Sequence, residues 1–190
     1  MLSSLVALDE RVFQIMHQWA IVLPDIWVAF ALCGVYVVPI ILVWYWFARR
    51  RETALFAALT GIFAWLGLNN LIALYASRER PIPFITLNFP EKEFLFDRPG
   101  PSFPSDHTAF MTAITLAFYF AGERRVAGVL GGVTFLTVLA RIVTAQHWPG
   151  DIIVGALVGL VAVLLFGLIR RPLDQWVIAP LIKFARKLGV

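Results

Sequence analysis

Five uncharged runs divide the chain, at residues 26–48, 53–77, 108–122, 126–140 and 152–169. A helix that crosses a bilayer needs roughly 20 predominantly apolar residues, with a lower limit of about 17, and the runs are read as five spanning helices. The third, with 15 uncharged residues, is short by that measure. Its helix is expected to start upstream, through the polar residues 105–107, which places Ser105 and His107 near a membrane face. Ahead of the first run, Leu5, Leu8, Val12, Phe13, Ile15, Met16 and Trp19 form a helical stripe opposed by Asp9, Glu10, Arg11 and Gln18. That pattern predicts an interfacial helix. Its two acids and the lack of a basic start argue against a cleavable signal peptide. The C-terminal "PLDQWVIAPLIKFARKLGV" is a second interfacial candidate, with Trp176 as anchor and Lys183, Arg186 and Lys187 facing the headgroups.

Composition agrees with this picture. The 190 residues are 60% hydrophobic and only 15% charged, with a mean hydropathy of +0.80, whereas soluble domains carry about 25% charged residues. The expected fold class is therefore an all-α integral membrane bundle, forming a single domain over 1–190 with no internal repeat or linker. Ten of the sixteen basic residues, Arg49, Arg50, Arg51, Arg124, Arg125, Arg170, Arg171, Lys183, Arg186 and Lys187, fall in one set of loops and termini. Basic residues accumulate on the cytoplasmic side, so the C-terminus is expected there. The N-terminal segment, the loop from Arg78 to Pro104 and the short turn around His147 are then expected to face out. The net charge of +4 is mostly this excess and does not indicate nucleic-acid binding. Cys33 is the only cysteine, so no intrachain disulfide can form.

Ionisable groups at membrane depth cost about 2.5–3.5 kcal/mol even on lenient scales and are functional candidates for that reason. Three clusters qualify: "SRERPIPF" at 77–84, "PSDH" at 104–107, and "ARIVTAQHWPGD" at 140–151. Taken singly, each has an ordinary reading. Arg78 and Arg80 suit a snorkelling pair, Ser105 an N-cap, Asp151 a helix-dipole partner, and Trp148 a lipid anchor. Taken together, they place cations, histidines and two helix N-termini at one end of the bundle. Arg80, Arg141 and the N-termini suit a phosphate. Two histidines beside it suit phosphoryl transfer, one as nucleophile and one as proton donor. The chain has three histidines in all, too few to suggest a zinc or di-metal site, and no cofactor is expected.

These motifs resemble those of the type 2 phosphatidic acid phosphatase superfamily, the integral-membrane lipid phosphate phosphatases. The family pattern is Lys-x6-Arg-Pro, then Pro-Ser-Gly-His, then Ser-Arg-x5-His-x3-Asp. Here Arg80-Pro81, Pro104-Ser105-Asp106-His107, and Arg141-x5-His147-x3-Asp151 stand in that order over residues 73–151. The chain departs at Ala73, where the family has lysine, at Asp106 for glycine, and at Ala140 for serine. In its short length, its Pro-Ser-Asp-His and its lysine-free first motif it resembles the small bacterial undecaprenyl-diphosphate phosphatases. A rival first motif, Arg98-Pro99, has only Lys92 upstream at the wrong spacing.

The resemblance implies His147 as a nucleophile that becomes phosphohistidine, with Asp151 holding its imidazole. It implies His107 as the general acid, later the base for water. Arg80, Arg141 and Ser105 would bind phosphoryl oxygens, with Arg78 standing in for the lysine. Asp106 keeps two readings: tuning His107, or repelling a monoester while Arg78 holds a second phosphate. The expected activity is metal-independent hydrolysis of undecaprenyl diphosphate at the outer face of the cytoplasmic (inner) membrane. The expected partners are the lipid diphosphate and membrane lipids. Two alternatives stay open: a phosphatase for phosphatidylglycerol phosphate, phosphatidate or lipid A, and a small carrier. A carrier would more naturally scatter its charges along the spans. Gly155, Ala156 and Gly159 are expected to let the last spanning helix pack closely and hold His147 in place.

Overall fold

A computed structural model describes residues 2–81 and 101–189. Expectations placed on 82–100, among them the acids Glu91, Glu93 and Asp97 and the rival Arg98-Pro99 pair, lie outside the described residues. Helix is the only regular structure among the described residues. The helices are α1 (Leu2–His17), α2 (Pro24–Phe47), α3 (Arg51–Tyr75), α4 (Asp106–Phe120), α5 (Arg124–Val143), α6 (Pro149–Leu168) and α7 (residues 170–187). Together they form an all-α membrane bundle. Each of α2 to α6 begins two or three residues before its uncharged run, because a charged residue or a proline is accommodated in the first turn, where N–H groups have no intrahelical partner.

Four of these helices, α2, α3, α5 and α6, are long and apolar enough to cross a membrane. α4, the third of the five expected spans, does begin upstream of its uncharged run, at Asp106, and has 15 residues. That is about 22 Å at 1.5 Å per residue, against a hydrocarbon core of about 30 Å. Protein contact also accounts for its apolar character. It packs against α3, α5 and α6 and buries His107, Thr108, Ala109, Met111, Ala113, Ile114, Ala117 and Phe118. A helix surrounded by protein is as apolar as one surrounded by lipid.

Contact between α4 and α6 depends on two glycines. A Cβ at Gly155 would stand 2.7 Å from the Ser105 carbonyl oxygen, and one at Gly159 2.7 Å from that of Ala109. Neither approach leaves room for a side chain, so the small-residue expectation holds at these two positions. Because Gly155 lies four residues after Asp151, the same contact sets the N-terminus of α6 against that of α4. Helix α3 contains a π-helical stretch, Phe63–Asn69. Such a stretch resets the phase of the helix, and it ends with Asn69 buried.

The two amphipathic helices dock on the bundle. In α1, Phe13 packs with Ile142, Ala145 and Trp148, and His17 Nδ1 donates to the Val143 carbonyl at 2.7 Å. Leu5, Leu8, Ile15 and Trp19 remain exposed, as an interfacial helix requires. In α7, Ile178 and Ile182 are buried while Trp176 and Phe184 are exposed. One end of the bundle gathers the C-termini of α3 and α5 and the N-termini of α4 and α6. The other gathers the α2–α3 and α4–α5 turns with α7, and there the ten clustered basic residues lie.

Candidate active site

The turn between α5 and α6 explains the spacing of the longest motif. Helix α5 closes with Ala145 in the left-handed region, at φ 61°, and the Gln146 and His147 N–H groups both return to the Arg141 carbonyl, at 2.9 and 3.2 Å. Five residues between Arg141 and His147 are thus the length of one helix cap. The three residues between His147 and Asp151 have a similar origin. Asp151 lies in the first turn of α6, where its Oδ2 accepts the Trp148 N–H at 2.9 Å, half of a capping box.

His147 is buried, and its Nδ1 donates to the Ser102 carbonyl at 2.8 Å. That bond selects the tautomer whose Nε2 carries the lone pair. Asp151 Oδ2 lies 3.6 Å from the same Nδ1, close enough to favour positive charge on the ring but farther than Ser102. The residue that orients the imidazole is therefore a backbone carbonyl in the segment before α4. The Ser102 hydroxyl is bonded in turn to the Arg78 and Glu79 carbonyls at 3.1 and 3.2 Å.

His107 lies in the first turn of α4, with its Nε2 3.4 Å from Arg141 Nη1. Arg141 is 1% exposed and also donates to the Ala31 carbonyl of α2 at 3.1 Å. A guanidinium at that depth links three helices while keeping its charge beside both histidine-bearing segments. Arg80 donates to the Gln146 carbonyl at 2.9 Å, next to His147. Ser105 is the N-cap residue of α4 by backbone position, but its side chain makes no cap bond. Its Oγ instead accepts from Thr108 Oγ1 at 3.0 Å, and its N–H donates to the Asp151 carbonyl at 3.2 Å.

Asp106 accepts from Asn69 Nδ2 at 2.6 Å, and the same amide donates to the Pro104 carbonyl at 3.1 Å. The π-helical end of α3 thereby holds the Pro-Ser-Asp-His turn. A narrow crevice lined by Val35, Trp65, Asp106, His107 and Phe110 opens beside it, so apolar surface reaches the edge of the cluster.

Arg78 is paired with Asp9 of α1, lies 3.9 Å from Asp151 Oδ1, and stacks over the Trp148 ring at 4.2 Å. Asp9 Oδ1 also accepts the Gly150 N–H at 2.7 Å, at the N-terminus of α6. These contacts tie α1 to the turn that carries His147. The residues missed in the sequence were Asp9, Asn69 and Ser102. Asp9 looked like the polar side of a surface helix, and only the "SRER" and "PSDH" neighbourhoods hinted at the other two.

The arrangement brings His107, Arg141, His147 and Asp151 into one buried cluster, with Arg80, Ser105 and Asp106 at its border and Arg78 behind Asp151. Comparisons with known proteins give the family. The chain is 32% identical over 118 residues to a protein named undecaprenyl-diphosphatase BcrC from Bacillus subtilis (strain 168), a match covering 62% of this chain and 58% of that protein's length. No solved structure matches the chain significantly. Residues 53–173, more than half of the chain, match the family described as the PAP2 superfamily, and they contain every motif residue of the cluster: the chain belongs to the PAP2 superfamily.

Proposed function

We propose that the protein is a membrane lipid phosphatase that hydrolyses undecaprenyl diphosphate to undecaprenyl phosphate and inorganic phosphate. The observation that carries this reading is a buried cluster in which His107 lies against the Arg141 guanidinium, the His147 N–H returns to the Arg141 carbonyl, and the Ser102 carbonyl sets the tautomer of His147. The name of the Bacillus relative supports the choice of lipid.

In the proposed reaction His147 Nε2 attacks the terminal phosphorus. The bond from phosphorus to the bridging oxygen breaks, and His107 gives a proton to the departing lipid phosphate. Water then attacks the phosphohistidine while His107 takes its proton, and the N–P bond breaks to release phosphate. Arg80 and Arg141, with the N–H groups at the start of α4, stabilise charge on the transferred group. Asp151 favours the positive charge that develops on His147. In this reading guanidinium groups serve as the charge stabilisers. The excess of Lys and Arg at the opposite end supports a cytoplasmic side there, and with it a site at the outer face of the inner membrane. There the released lipid phosphate can return to carry another headgroup in peptidoglycan biosynthesis.

The test is phosphate release by the purified protein from undecaprenyl diphosphate and a panel of monoester lipid phosphates, in the presence of chelator. Wild type should be active and His147→Ala slower by at least about 10³-fold. Activity that disappears in chelator, or that survives His147→Ala, would refute the phosphohistidine route. Preference for a monoester would move the assignment to phosphatidylglycerol phosphate, phosphatidate or lipid A.

A further inference from the structure

The end of the bundle opposite the histidines carries a cleft of about 930 Å³ whose lining includes Arg49, Arg50, Arg51, Glu52, Ile182 and Arg186. An adjoining hollow of about 570 Å³ adds Lys183 and Lys187. The cations in the cleft are engaged unequally. Arg50 is bonded to Glu123, and Arg51 lies over the Trp46 ring at 5.0 Å with its Nε donating to the Trp46 carbonyl. The Arg49 and Arg186 side chains have no hydrogen-bond or ion-pair partner among the described residues. Among the described residues, two guanidinium groups therefore face one cleft without an ion pair, and the acid in its lining is Glu52.

The backbone adds a second observation. Arg49 closes α2 in the left-handed region at φ 61°, with the Arg50 N–H returning to Tyr45 and its own N–H to Trp46. Glycine is the usual residue at such a cap, and a side chain there costs roughly 1–2 kcal/mol. A strained residue is where a function can be sought.

A third observation sets the depth of the cleft. Helix α7, which forms one wall, buries Ile178 and Ile182 in the bundle yet leaves Trp176 79% and Phe184 61% exposed beside Lys183 and Arg186. Exposed aromatics next to cations on an amphipathic helix mark the boundary between acyl chains and headgroups. At that depth the anions are lipid phosphates, and planar guanidinium groups bind phosphate oxygens in pairs.

We propose that this cleft is a binding site for the phosphodiester headgroup of an anionic membrane lipid. Arg49 and Arg186 hold the phosphate, and the acyl chains lie along the apolar residues that α7 leaves uncovered. The site is separate from the candidate active site, and its test does not depend on turnover.

The experiment is native mass spectrometry of the full-length protein in neutral detergent, titrated with phosphatidylglycerol and with phosphatidylcholine of the same acyl chains. Wild type should retain phosphatidylglycerol with at least about tenfold preference, and the Arg49→Gln, Arg186→Gln double variant should bind the two lipids equally. Equal binding by wild type overturns the proposal. So does a preference that survives in the double variant, since the headgroup would then sit elsewhere. Millimolar inorganic phosphate should not displace the lipid; displacement would assign the site to a soluble phosphate instead. Arg49→Gly keeps the proposal testable if the double variant unfolds. Removing the strain should raise its melting temperature in lipid-free detergent while its anionic preference falls, whereas an unchanged preference would exclude Arg49 from the site.

Discussion

The two ends of this bundle are both rich in arginine, yet arginine behaves differently at each. At the histidine end Arg141 is 1% exposed and bridges α2 and α4, Arg78 is clasped between Asp9 and Trp148, and Arg80 holds the Gln146 carbonyl. At the opposite end the Arg50 side chain is 61% exposed, and Arg49 and Arg186 face an open cleft. Burial makes the difference. A guanidinium out of water must be bonded on several sides, so it fixes the positions of its neighbours, while one at the lipid–water boundary can stay unpaired until an anion arrives. Each end also contains a helix closed by a non-glycine residue at positive φ, Ala145 at one and Arg49 at the other. The first directs His147 back over Arg141. The second presents its own charged side chain.

The sharpest way to break this comparison is to exchange the buried guanidinium for a point charge. Arg141→Lys keeps the charge but cannot reach both the Ala31 carbonyl and His107, and phosphate release should fall by about 10²-fold or more. Retention of activity within about threefold would show that Arg141 acts only as diffuse positive charge. A smaller effect is expected at Asp9. Asp9→Ala leaves the Gly150 N–H and Arg78 without their partner, which should destabilise the protein by about 1–3 kcal/mol and lower phosphatase turnover by roughly tenfold. Asp9→Asn should recover part of both, since an amide oxygen still accepts the Gly150 N–H. Thermal unfolding and turnover measured on the same samples check this, and an Asn variant no better than Ala would remove the capping role. The smallest effect belongs to the exposed end. Glu123→Gln removes the negative charge beside Arg50 and should cost less than about 1 kcal/mol, with turnover unchanged. A large loss there would mean the two ends are coupled.

Much of the fold was legible because membrane helices are specified by their own composition. Helices α2 to α6 start and stop within a few residues of the five uncharged runs. Four of the runs give helices of spanning length, while the 15-residue α4 is also enclosed by its neighbours. The motif spacings were also legible, because a helix cap and a first-turn acid are relations among neighbours in the chain. Pro104 to His107 and Arg141 to Asp151 are brought together by Gly155 and Gly159, whose role could be read from residue size.

Contacts across the chain could not be read in this way. Asp9 meets Gly150 over a separation of 141 residues, Ser102 meets His147 over 45, and Asn69 meets Asp106 over 37. None has a periodic or local signature, because nothing in an amphipathic stripe states which neighbour its polar side will meet. The sequence alone therefore determined the bundle, its charged end and the spacing of the candidate chemistry. Only the tertiary structure decided that a backbone carbonyl aims the His147 ring, that the π-helical end of α3 holds Asp106, and that α1 reaches over to fasten Arg78. The reason is physical: hydrophobicity and helix caps act along the chain, while the orientation of a buried imidazole depends on whatever donor or acceptor folding brings within 3 Å of it.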